Sequence, residues 1–182
     1  MLRVRSRIGA RTMPARLYVS GSTSSTPLSA KQGQWVQMKI HPTKGGLYYE
    51  KASASNSVPD GIIYKNPLSR FGGQTAQTTF AKPWNENGLA VPAYTVFDHA
   101  TTNEELGRFT LLMDKFVVEV DSDGYTGSVT KGDDLILDVS NPGKLKSGGK
   151  PYTGAQPILA RALNSADASN DDILKYKSMI GA

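Results

Sequence analysis

Short stretches in which every second residue is apolar, each closed by glycine or proline, are what most limits the folds open to this chain. In "RFTLLMDKFVVEVDSDGYTG", Phe116, Val118 and Val120 alternate with Lys115, Val117 and Glu119, and Asp123-Gly124 makes the turn. In "KQGQWVQMKIHPTKGGLYY", Val36, Met38 and Ile40 fall on one side and Gln37, Lys39 and His41 on the other, with Pro42 and Gly45-Gly46 ending the run. "KGDDLILDVSNPGKL" repeats the plan with Leu135, Leu137 and Val139. Period two puts alternate side chains on opposite faces of a strand, so each stretch reads as a half-buried strand. We expect an all-β protein, a compact β-barrel or β-sandwich body with a short helix at most and an extended N-terminal arm.

Two of these stretches are related. Gly33, Val36, Met38 and Ile40 recur as Gly132, Leu135, Leu137 and Val139. Gly45 and Leu47 match Gly143 and Leu145, and Ile62 and Ile63 match Ile158 and Leu159. The expected organisation is a basic arm over 1–29 and a single body over 30–182. The body holds two strand–turn–strand units, 31–65 and 130–163, and a loop-rich insertion at 66–107. Within the insertion, Thr102 and Glu105 have the spacing of a helix cap. "SNDDILKYKSMIGA" obeys both helix and strand rules, and a closing sheet favours the strand, with Leu174, Tyr176 and Ile180 on one face.

Charge is unevenly placed. Before Glu50 there are eight cations and no carboxylate; from Glu50 onward, thirteen cations face sixteen carboxylates. Arg3, Arg5, Arg7, Arg11 and Arg16 crowd the first sixteen residues, where Arg3, Arg5 and Arg7 alternate with Leu2, Val4, Ser6 and Ile8. The segment lacks the apolar core of a secretory signal, and its arginine-rich, acid-free composition is also that of a transit peptide. "SGSTSSTPLS" follows, too polar to order by itself. No apolar run is long enough to span a bilayer as a helix.

Sites for chemistry are few. His41 and His99 lack metal-ligand spacing, and no Gly-x-Ser-x-Gly context supports a Ser/His/Asp triad. "DSDGYTG" offers Asp121 and Asp123, but Gly132 stands where a calcium loop needs glutamate, so an Asp-Gly turn is expected. "KSGGKPYTG" lacks the Gly-Lys-Ser/Thr ending of a phosphate loop and reads as a mobile surface hairpin. The expectation is therefore no enzyme, no metal, no cofactor and no small-molecule substrate. By strand parity Trp35 lies opposite Val36, Met38 and Ile40, either exposed or covered by a neighbouring subunit, which makes it the expected aromatic contact. Nucleic acid is not the expected partner, since the body has no RNP-like aromatic pattern, zinc spacing or recognition helix.

"GSVTKGDDLILDVSNPGKLKSGG" and "QPILARALNSADASNDDILKYK" together resemble the small capsid cement, or decoration, proteins of tailed bacteriophages. The likeness rests on Gly132-Asp133 opening a strand, Gly143-Lys144-Leu145 after a turn, and Pro157 to Ala166 leading to the last strand. It covers about fifty residues well, and the first half follows loosely through "KQGQWVQMKI" and "VPDGIIY". The section between the two units, and "SADASND" near the end, depart from the family pattern. The resemblance implies a β-rich, non-catalytic virion protein on the outer capsid surface, commonly a homotrimer, bound to the major capsid protein. Arg3, Arg5, Arg7, Arg11, Arg16 and Trp35 are the contacts we expect. Two other roles stand beside it: another phage structural part, at the head–tail junction or tail surface, or a nucleic-acid-binding β-barrel.

Overall fold

A computed structural model describes residues 2–6, 9–18, 31–40, 46–56, 58–68 and 105–180. Thirteen strands carry them: β1 (Leu2–Ser6), β2 (Ala10–Tyr18), β3 (Trp35–Ile40), β4 (Leu47–Lys51), β5 (Gly61–Leu68), β6 (Glu105–Asp114), β7 (Val117–Val120), β8 (Ser128–Val129), β9 (Asp134–Leu137), β10 (Leu145–Ser147), β11 (Ala160–Ala162), β12 (Ala166–Asp167) and β13 (Leu174–Ser178). A three-residue 3-10 turn, Ala168–Asn170, is the only helical element among the described residues. The protein is all-β. Its C-terminal segment is a strand, with Leu174, Tyr176 and Ile180 buried.

Two sheets dominate. β2-β4-β3-β5-β6 close into a barrel, while β1-β7-β13-β11-β9-β10 form a six-stranded sheet, and β12-β8 pair separately. Both large sheets contain the same five-strand unit. In the first, β3 pairs with β4 and β5, β5 with β6, and β6 with β2. In the second, β9 pairs with β10 and β11, β11 with β13, and β13 with β7. The first unit closes through a parallel pairing, Leu17 with Tyr49. The second has the matching parallel bridge, Tyr125 with Leu145.

Backbone bonds make the correspondence specific. Gly33 N–H donates to Ile63 O at 2.9 Å and Ile63 N–H returns to Gln34 O at 2.9 Å; Gly132 to Ala162 O at 2.9 Å and Ala162 to Asp133 O at 3.0 Å repeat them 99 positions later (33 to 132, 63 to 162). Side-chain turn bonds repeat too: Gln34 Oε1 accepts from Lys31 N–H and Asp133 Oδ2 from Thr130 N–H, both at 2.9 Å. Gly33 and Gly132 share a positive φ, +85° and +91°, a conformation that costs glycine little. These bonds correct the expected alignment beyond the first strand. Ile62 and Ile63 correspond to Arg161 and Ala162, not Ile158 and Leu159, and Leu145 faces Leu137 as Tyr49 faces Met38.

The core explains how the units join. Ala15, Val36, Tyr49, Ile63, Phe109 and Leu111 fill the first barrel. The opposite faces of the same strands, Trp35, Ile62 and Leu112, pack with Phe116, Val118, Tyr125, Leu135, Tyr176 and others of the second unit. Trp35 lies 5.9 Å from Phe116 and 6.3 Å from Tyr176 between ring centroids. Burial raises the Tyr176 phenol far above its usual range, a neighbouring Trp35 indole opposing this only in part.

Several expectations change here. Trp35 is fully buried, so it is neither exposed nor covered by a neighbouring subunit. Met38 and Ile40 are 45% and 72% exposed, on the part of β3 that lies past its pairing with β5 at Trp35 and Val36. Glu105 begins β6 rather than the first turn of a helix, and β5 and β6 run into the expected insertion to Leu68 and from Glu105. The segment expected as an arm is paired with the chain's own strands, β1 with β7 and β2 with β6. Thr102, His41, His99 and most of the insertion lie outside the described residues, as do Arg7 and 19–30.

Trp35→Ala should therefore cost about 3–5 kcal/mol, the usual penalty for a large ring deleted from a core, read from denaturant unfolding. Removal of residues 1–18 takes the strand between β4 and β6 out of a closed barrel. That truncation should abolish a cooperative transition in the first unit, measured by circular dichroism and amide exchange, where a dispensable arm would leave it intact.

Candidate interaction face

The side chains of the second unit's recognisable segments are consumed in holding its turns. Asp133 accepts from Thr130 N–H and, at 2.6 Å, from the Ser147 hydroxyl. Asp138 accepts from Thr126 Oγ1 at 2.7 Å, Asn141 Nδ2 at 2.8 Å and Ser140 N–H at 3.1 Å. Burial works against the charged Asp138, but these donors outweigh it and hold its carboxyl below the ordinary range. Asp123 pairs with Lys31 at 2.7 Å, and Gly124 N–H closes on Asp121 O at 2.9 Å, so "DSDG" is a turn. "KSGGKPYTG" folds back on β9 and is not a free hairpin: Gly148 N–H donates to Asp134 O, and Asp134 N–H to Gly149 O. Among the described residues, no group of three His, Cys, Asp or Glu is placed to hold a metal. No described helix is long and apolar enough to cross a membrane.

Among the described residues, a charged surface left for contact is the outer face of the six-stranded sheet. Alternation sends Leu2, Val4, Val118, Val120, Leu174, Tyr176, Ala160 and Ala162 inward, and turns their neighbours outward. Register then sets two rows across the strands, Arg3–Glu119–Lys175 and Val117–Lys177–Arg161–Asp134. Arg5, beside the first row, reaches Glu119 at 2.7 Å. Ile173 and Met179, each 37% exposed, continue the alternation at either end of β13, and Leu163, 38% exposed, follows Arg161.

Both carboxylates on this face are already engaged. Glu119 is held below its usual range first by the hydrogen bond from Arg5, with Lys175 and Arg3 adding. Asp134 is 3% exposed and takes Arg161 Nε at 3.0 Å and Nη2 at 2.8 Å. Tyr152 N–H adds a third bond at 3.2 Å. The Arg161 bonds lead in depressing the Asp134 carboxyl, and burial only partly opposes them. Among the described residues Arg3, Lys175 and Lys177 form no ion pair of their own, Arg3 and Lys175 only flanking the Glu119 that Arg5 holds, so cations outnumber carboxylates on a face with an aliphatic rim.

Of the expected contact residues, Arg3 and Arg5 lie on this face. Arg11 does not; its guanidinium pairs with Asp114 at the β6–β7 corner. Trp35 is core, and Arg7 and the side chain of Arg16 lie outside the described residues. Lys175, Lys177 and Arg161 were missed. Their signal is the alternation of "LKYKS" and "ARA" itself, once β13 and β11 are neighbours of β7.

Arg161→Leu strands a buried carboxylate, and should cost about 1–2 kcal/mol at neutral pH, the exposed guanidinium being screened by solvent. Because the folded Asp134 pKa is depressed, the pairing is present above the unfolded carboxylate value of about 3.9 and lost as pH falls through the folded one. The stability gap between wild type and variant should hold from neutrality to about pH 4 and close below it, measured by urea unfolding across pH. A gap independent of pH would refute the assignment. No family model matches the chain, and no curated protein matches its sequence significantly.

Proposed function

We propose that this protein is a non-catalytic structural component of a virion, a decoration protein on the outer surface of a tailed-phage head that strengthens contacts between major capsid proteins, there as a homotrimer. The single observation that carries the reading is the division of labour in the second unit. Its polar turn residues are spent on internal bonds, and the charge left pointing outward forms one cationic face. A protein of that kind works by adhesion. The resemblance of "GDDLILDVSNPGKL" and "QPILARALNSADASND" to cement proteins supplies the kind of assembly.

Adhesion to a shell is a mass-action stabiliser. A protein that binds only assembled subunits shifts the shell away from disassembly by its own binding free energy. A trimer engaging three sites at once multiplies weak contacts through effective concentration. Such a role needs a stiff body, and a closed barrel and a six-stranded sheet joined through one row of core residues provide it.

Expanded heads prepared without the protein should bind it in solution at the copy number of the shell lattice, and should then resist heat and chelation better. Heads that neither bind it nor gain resistance would refute the reading. Stoichiometry matching a single vertex ring would move the protein to the head–tail junction instead.

A further inference from the structure

We infer that the outer face of β1, β7, β13 and β11 is the docking surface for an acidic patch on a protein partner, and that Lys175 and Lys177 carry most of the attraction. The identity of the partner as a shell subunit rests on the decoration reading; the face and its chemistry do not.

Three observations lead there. The first is the relation between the two units. In the first, the outward row Trp35–Ile62–Leu112 is a docking face, covered by the second unit. Register places Asp134–Arg161–Lys177 at the same three positions of the second unit. The face that one copy uses to bind a folded neighbour is thus presented by the other copy, with apolar residues replaced by charge. A third unit of the same kind, or a second copy of this chain offering another apolar core, is a poor occupant. Covering Arg161 and Lys177 with such a surface would strip their hydration without return.

The second observation is charge complementarity. Arg3, Arg5, Arg161, Lys175 and Lys177 face outward together, and the two carboxylates among them, Glu119 and Asp134, are already bound to Arg5 and Arg161. Neighbouring strands lie about 4.8 Å apart, so the free cations sit close enough to raise one another's potential and favour an anionic surface opposite.

The third observation separates protein from single-stranded nucleic acid. The side chains bordering the cations are Ile173, Met179 and Leu163, all partly exposed aliphatics. Among the described residues no outward position of β1, β7, β13 or β11 is aromatic, Tyr152 lying farther out beside Asp134 of β9, whereas single-stranded nucleic acid is held by aromatic stacking. Cations with an aliphatic rim suit a protein surface whose carboxylates surround apolar contacts.

The test compares two charge-matched double variants of the full chain, Lys175→Gln/Lys177→Gln on the face and Lys39→Gln/Lys131→Gln away from it. Thermal melts should show both folded, since all four side chains are at least partly exposed. Binding is measured to isolated heads, to poly-L-glutamate and to duplex DNA of equal charge. The face variant should lose about tenfold or more in affinity for heads, a change of about 1.4 kcal/mol, while the control binds as wild type. Equal binding of both variants to heads overturns the inference and leaves the decoration reading standing. Should wild type fail to bind heads, the decoration reading falls, and poly-L-glutamate then decides. Salt-sensitive binding lost in the face variant upholds the face, and no binding overturns it. Duplex DNA held more tightly than poly-L-glutamate would also overturn it.

Discussion

One apolar row sets the architecture. Trp35, Ile62 and Leu112 leave the first barrel outward and are buried in the second unit, against Phe116 and Tyr176. The strands that carry them must be apolar on both faces, because Val36, Ile63 and Leu111 fill the barrel on the other side. That is why the buried positions of β3 run consecutively from Trp35 to Gln37 before the hairpin emerges into solvent. Burying one large ring contributes on the order of 2–3 kcal/mol, a sizeable share of the net stability of a domain. Deleting the row would cost the second unit its lid as well as the first its neighbour.

The N-terminal strands reinforce this junction. β1 extends the second unit's sheet while β2 completes the first barrel, so the first two strands of the chain belong to different units. Leu2 and Val4 pack on the shared core. Gly9, at φ +83°, precedes β2 and sits close to the stem of Lys115. The arginines alternating with these apolar residues are therefore one face of a sheet. Their charge is displayed by a rigid lattice, which lowers the ordering cost of any contact they make.

Much of this could be read in the sequence, and the failures have one cause. Alternation located β3, β7, β9 and β13 and the inward residues of β7 and β13, which bury one face and turn the other out; β9 is buried on both, and Val139, expected inward with Leu135 and Leu137, is 39% exposed beyond the end of that strand. At Trp35 the rule broke because it assumes a single buried face; parity placed the ring outside when a second unit was waiting there. In Leu2 to Ser6 the pattern of a free extended arm and of a sheet-edge strand are the same, and only pairing with β7 distinguishes them. The alignment of the two units slipped after the first turn for a similar reason. Apolar pairs such as Ile62-Ile63 and Ile158-Leu159 look alike, but the backbone bond from Gly132 to Ala162 settles which residues are equivalent. Lys175 and Lys177 were invisible as a site because a lysine on a strand has no meaning until its neighbours across the sheet are known.

The divergence between the two copies follows from what each outer face must avoid. A unit that buries its outer row in a successor and is followed by an identical unit has no reason to stop, and head-to-tail contacts that fail to close give open filaments. Repeat arrays end by making the last outer face polar. Here the Trp35–Ile62 pair of the first unit is matched by the Asp134–Arg161 ion pair in the second. Such a pair adds little stability over an apolar one of similar volume. What it does is make dry stacking unfavourable while leaving the cation exposed to a partner able to supply carboxylates. Termination of stacking and recognition of an acidic surface are then two consequences of the same substitution.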